Sequence, residues 1–120
     1  MASQVLFDQI VIDGQTTGTF ILPFSSSVTP YADGKMTGNM LEMTFHCLFG
    51  AGTGAGVIAL ETAHDPAFTG TWASVGTFTW AAANRAHYIS LTGCFRALRL
   101  RFTSDVTGGT ASVWCIASSR

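Results

Sequence analysis

Residues 39–49, NMLEMTFHCLF, decide the fold. Leu41, Met43, Phe45, Cys47 and Phe49 alternate with Glu42, Thr44 and His46. Successive side chains of an extended chain point to opposite faces, so this period of two predicts a strand with one face buried and one face polar. Residues 94–102, CFRALRLRF, repeat the pattern: Leu98, Leu100 and Phe102 share one face, and Arg99 and Arg101 the other. Arg96 falls on the apolar side, which predicts a bulge or a strand end there.

Six further segments carry the same extended character: 4–12 (QVLFDQIVI), 18–22 (GTFIL), 56–61 (GVIALE), 72–80 (WASVGTFTW), 86–91 (AHYISL) and 110–117 (TASVWCIA). Turn formers separate them: Asp13-Gly14, the Ser25 to Pro30 stretch, Asp33-Gly34, the glycine run 50–56, Asp65-Pro66, Asn84, Gly93 and Thr107-Gly108-Gly109. No segment holds a helical period between plausible caps. About eight short strands without helices predict an all-β antiparallel sandwich, with a jelly roll favoured and an immunoglobulin-like sandwich as runner-up. At 120 residues, and with no linker or internal repeat, the chain reads as one domain over 1–120.

The formal net charge is −1, from six Lys and Arg against seven Asp and Glu. Such a chain offers no field for nucleic acid or an anionic membrane, and neither is expected as a partner. Only 11% of residues are charged, against about 25% in an average domain, and 48% are hydrophobic. Thr, Ser, Gly and Ala stand where a monomer usually carries Lys and Glu. This suits a subunit covered by neighbours, and a homo-oligomer is expected. A monomer with a Thr-rich surface is the alternative.

The opening MASQVLFDQIVI has no basic n-region and its apolar run is broken by Asp8 and Gln9. Synthesis in the cytoplasm without a signal peptide is the expectation. Cys47, Cys94 and Cys115 are odd in number and lie in strand-like sequence. Free buried thiols are expected, and one disulfide plus one free thiol stays open.

Motifs for chemistry are weak. Gly50, Gly52 and Ala55 formally match a dinucleotide-binding glycine pattern, but the glycines lead into β-like GVIALE and not into a helix that could face a pyrophosphate. A flexible hairpin or inter-strand loop, mobile or touching a partner, is the expectation there. His46, His64 and His87 lack metal-ligand spacing, and no nucleophile elbow or zinc-protease element is present. Neither catalysis, a metal nor a cofactor is expected, although carboxylates such as Glu42 and Glu61 could meet in space. Arg99 and Arg101 read either as cross-strand partners of acids such as Glu42 or as contacts to another protein. Trp72, Trp80 and Trp114 read as core or strand-end aromatics; exposed together, they would suit stacking on sugar rings.

From Glu61 onward the chain carries an E-x-x-x-D start, then GTWASVGTFTW (70–80) and FRALRLRFTSDVTGGTASVWCIA (95–117). This half resembles small β-sandwich structural proteins of tailed bacteriophages, in which a G-T-W-x-x-x-G-T hairpin precedes an aromatic and Arg-bearing strand, a Thr/Gly turn and a final alternating strand. The resemblance implies a non-enzymatic virion protein, with the major capsid protein or other virion subunits as partners. A capsid decoration or cement role is preferred; a tail or receptor-binding domain is the alternative, and a carbohydrate-binding module is the alternative of a different class. Candidate partner contacts are Arg99, Arg101, Tyr31, Lys35, Val5 and Phe7. Segments 1–6 and 23–38 would serve as reaching arms.

Overall fold

The computed structural model describes residues 6–22, 42–65, 67–92, 95 and 97–118, with the backbone alone for Leu6 and Phe7. It is all-β among the described residues. Eight strands follow in order: β1 (Leu6–Gln15), β2 (Thr19–Ile21), β3 (Glu42–Phe49), β4 (Ala55–Ala63), β5 (Ala73–Thr79), β6 (Ala86–Thr92), β7 (Ala97–Thr107) and β8 (Ala111–Ser118). Strands β1-β8-β3-β6 form one sheet, here the front sheet, and β2-β7-β4-β5 form the other, the back sheet. All pairings are antiparallel.

The pairings nest. β4 pairs with β5, β3 with β6, β2 with β7 and β1 with β8, as in one long hairpin rolled over on itself. That is the jelly roll, one of the all-β solutions that stack two sheets. The immunoglobulin-like alternative does not have this order.

Alternation builds the core. Met43, Phe45, Cys47 and Phe49 of β3 point inward beside Val113, Cys115 and Ala117 of β8, and meet Ile58, Leu60, Phe78, Leu98 and Leu100 of the back sheet. Phe20 and Phe102 add an edge-to-face pair with ring centroids 6.2 Å apart. At the margin where β5 lies opposite β6, Gly76 keeps the sheets close, since a Cβ there would come within 2.8 Å of Ile89 Cδ1.

Three local expectations change. Asp13-Gly14 is no turn: both residues lie inside β1, whose register against β8 shifts between Ile10 and Ile12 and again before Gln15. Gly14, at φ 61, absorbs the irregularity, and the chain reverses afterwards at Thr16–Gly18. Strand β7 runs on through Thr103–Thr107 beyond the apolar alternation, because residues 16–22 and β4 flank it on both sides. Arg96, where the pattern predicts a bulge, lies outside the described residues.

The glycine run is the inter-strand loop between β3 and β4, tied to the β7–β8 connection by hydrogen bonds. Gly50 N donates to Thr110 O (2.7 Å) and Gly54 N to Thr107 O (2.8 Å), while the buried Thr53 hydroxyl donates to Gly50 O. Gly52 and Gly108 both take positive φ, and a Cβ on Gly52 would lie 2.8 Å from Gly108 O. Glycine is required here so that the β3–β4 and β7–β8 connections can lie backbone to backbone.

Candidate interaction surface

The outer faces of the two sheets differ in kind. On the front sheet, register aligns Ile10, Trp114, His46 and Tyr88 in a single row across all four strands. The row toward one end holds Asp8, Ile116, Thr44 and Ser90, and the row toward the other holds Ser112, Leu48 and Ala86. Six large apolar or aromatic side chains are exposed among the described residues: Ile10, Ile21, Leu48, Tyr88, Trp114 and Ile116. All but Ile21 stand on this face, and Tyr88 is 70% exposed.

Contiguous apolar exposure of this kind marks contact surfaces more often than single scattered residues do. The described charges on the strands of this sheet are all acidic, and Asp13 is one of them, exposed on β1. The described rows of the face hold Asp8 and Glu42, with Glu42 between Thr92 and Ser118 at one end, and neither Lys nor Arg. Thr44 and Ser90 hydroxyls bond across the strands at 3.1 Å. His46 and Tyr88 rings lie 6.3 Å apart.

On the back sheet, the outer face is built around a buried carboxylate. Glu61 on β4 sits opposite Arg99 of β7, and the Ala59–Arg101 pair lies two residues along, so both guanidiniums reach the acid. Arg99 Nε donates to Glu61 Oε1 at 2.8 Å; Arg101 donates through Nε to Oε1 (3.1 Å) and through Nη2 to Oε2 (3.0 Å). The Glu61 side chain is 6% exposed, Arg99 19% and Arg101 40%. The hydrogen bond from Arg101 holds the Glu61 carboxyl below its usual range, with Arg99 adding to the same effect against the cost of burial.

Arg99 is further fixed over the Trp72 ring, 4.3 Å from its centroid. Trp72 itself is buried and donates its Nε1–H to Phe68 O at 2.9 Å. The acid that pairs with Arg99 and Arg101 is therefore Glu61, not Glu42, which lies on the other sheet. For the same reason Glu42 and Glu61 form no carboxylate pair.

The three tryptophans make no common platform. Trp72 is buried beneath Arg99, Trp80 is half-buried against the core, and Trp114 is exposed on the front sheet. The histidines stand apart too: His46 on the front face, His64 after β4 against Phe68, and His87 against Phe49 on the inner side of β6. Among the described residues, no three His, Cys, Asp or Glu side chains converge as a metal site, and no helix is long and apolar enough to cross a membrane.

Cys47 and Cys115 are unpaired and buried. Burial pushes both thiols up to about 12, with Asp8 adding to the effect at Cys115. Cys94 lies outside the described residues, as do Val5, Tyr31 and Lys35; of Phe7 only the backbone is described, paired with Ala117.

Alternation alone does not reveal the apolar front face. Trp114 and Ile116 occupy the outward phase of TASVWCIA, and Leu48 the outward phase of β3. Apolar residues at phases where polar ones are due are the signal the sequence offers.

No protein-family model matches this sequence. No curated protein matches it either. Among solved structures, the chain is similar in fold to one from Bacillus endospore appendages, described as forming a novel family of disulfide-linked pili. The similarity covers 97% of this chain and 86% of that one, with a TM-score of 0.54 and 13% sequence identity.

Proposed function

We propose that this chain is a non-enzymatic structural subunit that holds protein surfaces together in a large assembly, as the decoration or cement protein of a bacteriophage capsid. The observation that carries the reading is the front face, where five of the six large exposed apolar side chains among the described residues gather on one sheet whose described strands hold neither Lys nor Arg. Removing such a surface from water contributes roughly 25 cal/mol per Å² of apolar area. A standard interface buries about 800 Å² on each partner, about 20–30 residues a side. With a net charge of −1, attraction must come from burial and not from a long-range field, and attachment should persist in moderate salt.

The phage assignment rests on the resemblance of residues 61–117, and the major capsid protein or other virion subunits are the partners it names. A second reading is a subunit of an extracellular or spore-borne filament, favoured by the fold shared with the pilus-forming chain. Those pili are disulfide-linked. Here Cys47 and Cys115 lie within the core, so any linkage through them would require the sandwich to open. A carbohydrate-binding role has less support, because Trp72, Trp80 and Trp114 do not share a face.

The test adds purified protein to phage particles lacking it and measures occupancy and the temperature at which shells open. Tyr88→Asp should reduce occupancy while Thr103→Asp, an exposed change on β7, leaves it unchanged. Occupied shells that open no later than bare ones exclude cementing. Absence of shell binding combined with binding to phage tails moves the assignment to a tail domain.

A further inference from the structure

We propose that β6, the outer strand of the front sheet, pairs edge to edge with β6 of a second copy, so that two sandwiches join their front sheets into one about a twofold axis. The contact is a strand edge and not the apolar sheet face, and it goes beyond the subunit reading. A sheet edge is a row of unpaired N–H and C=O groups, which folded proteins blunt with bulges, charges, proline or shortness. Among the described residues, three of the four edges are blunted. β1 shifts register twice and carries exposed Asp8 and Asp13, β2 has three residues, and β5 shifts register beside Gly76. β6 has none of these devices. It holds seven consecutive pairs with β3, from Leu48–Ala86 to Glu42–Thr92, without a shift, and its sequence AHYISLT contains no Asp, Glu, Lys, Arg, Pro or Gly.

The hydrogen-bond phase leaves that edge open. Phe49 N donates to Arg85 O, and bonded positions recur at every second residue of an antiparallel pair. His87, Ile89 and Leu91 therefore exchange bonds with β3, while the main-chain groups of Ala86, Tyr88, Ser90 and Thr92 point the other way. Ala86 N is taken by Asn84 Oδ1 at 3.2 Å, and no described partner meets the N–H of Tyr88, Ser90 or Thr92. The same comparison of edges selects the occupant. What a second copy offers that is long, regular and uncharged is its own β6, so like strand meets like strand and the contact is isologous and closed. Full antiparallel overlap sets Ile89 against Ile89 of the second copy, Tyr88 against Ser90 and Ala86 against Thr92. The last two are the bonding positions, and no like charges meet. Ile89 and Leu91, which pack on the core yet stay only half-buried at this margin, gain apolar neighbours. Both front faces then look the same way and remain open to other surfaces.

Sedimentation of the purified wild type should show a dimer that grows no further as concentration rises to about 1 mM. Hydrogen exchange read residue by residue carries the signature of the edge. The amides of His87, Ile89 and Leu91 should be protected at every concentration, whereas those of Tyr88, Ser90 and Thr92 should slow, by at least about tenfold, only as the dimer forms. Ser90→Pro and Thr92→Pro each remove one open-edge N–H without breaking a bond to β3. Both should weaken dimerisation at least about tenfold while circular dichroism shows the sandwich intact; should either fail to fold, the wild-type exchange pattern decides. A dimer whose Tyr88, Ser90 and Thr92 amides exchange as fast as in the monomer overturns the proposal. So do mass growing past the dimer, a folded Ser90→Pro that dimerises like the wild type, and a wild type that stays monomeric throughout. Monomers that still attach to shells sink the edge pairing alone, and dimers that attach to none sink the shell role alone.

Discussion

The front and back sheets use their outward positions differently. On the back sheet, polar atoms are matched within the molecule: Glu61 accepts from both Arg99 and Arg101, and Trp72 supports Arg99 from below. On the front sheet, apolar surface at Ile10, Leu48, Trp114 and Ile116 stays exposed. The same pleat serves both ends, since alternation only guarantees that outward residues avoid the core. One face therefore holds contacts that stabilise the fold, and the other leaves apolar surface exposed, which is the basis of the proposed association.

The largest effect that would break this contrast lies at Glu61. Glu61→Ala leaves two guanidiniums partly buried without their carboxylate and should cost about 3 kcal/mol in unfolding free energy, measured by denaturant titration. Arg101 is partly solvated, so the loss should sit toward the lower end of that class. A change below about 0.5 kcal/mol would mean that the cluster is ornamental to folding.

A second effect concerns acid. The Glu61 carboxyl is held down in the folded state, so its contribution is complete above its unfolded pKa and is lost as pH falls through the folded value. The wild type should accordingly lose stability progressively below about pH 4.5, the ordinary carboxyl value, and Glu61→Gln should flatten that part of the curve. Parallel pH profiles for the two proteins would remove Glu61 from the account.

Smaller still is Arg99→Lys, which keeps the charge but loses the planar stack on Trp72; about 0.5–1 kcal/mol is expected from the same denaturant titration. The smallest effect belongs to the front sheet. Tyr88→Ser should shift folding stability by no more than about 0.5 kcal/mol, because the side chain is exposed, while weakening self-association or shell binding measurably. A large loss of stability at Tyr88 would show that the front face, too, serves the fold.

How much of this is legible in the sequence follows from which physics is local. The alternation in β3 and the Arg-bearing phase of β7 state their faces outright, and about eight strands follow from spacing and turns; these favour a jelly roll, but the strand order comes from pairings that no local window contains. Glu61 is not legible as a partner, because GVIALE looks uniformly buried and its arginines are 38 and 40 residues away, brought near only by β4–β7 pairing. Asp13-Gly14 has turn chemistry, but glycine at positive φ serves a bulge equally well. The glycine run suggests looseness, whereas its hydrogen bonds reach Thr107 and Thr110, residues that no local window contains. Trp114 reads as core or strand end because tryptophan usually is, although its phase in β8 points outward.

The nested ladder also bears on how the chain finds its fold. The innermost pair, β4 with β5, closes a short connection, whereas the outermost joins Leu6 to Ser118. Loop-closure entropy is lowest for the near pair, and each inner pair shortens the effective loop of the next, so assembly from the β4–β5 hairpin outward is the low-barrier order. Domains rich in such distant contacts fold in roughly milliseconds to seconds. The last strands to dock are then β1 and β8, whose outward faces carry Ile10, Trp114 and Ile116. While the polypeptide is still emerging, the exposed apolar face of the front sheet is incomplete, which under the proposed subunit role delays adhesion until the monomer is whole.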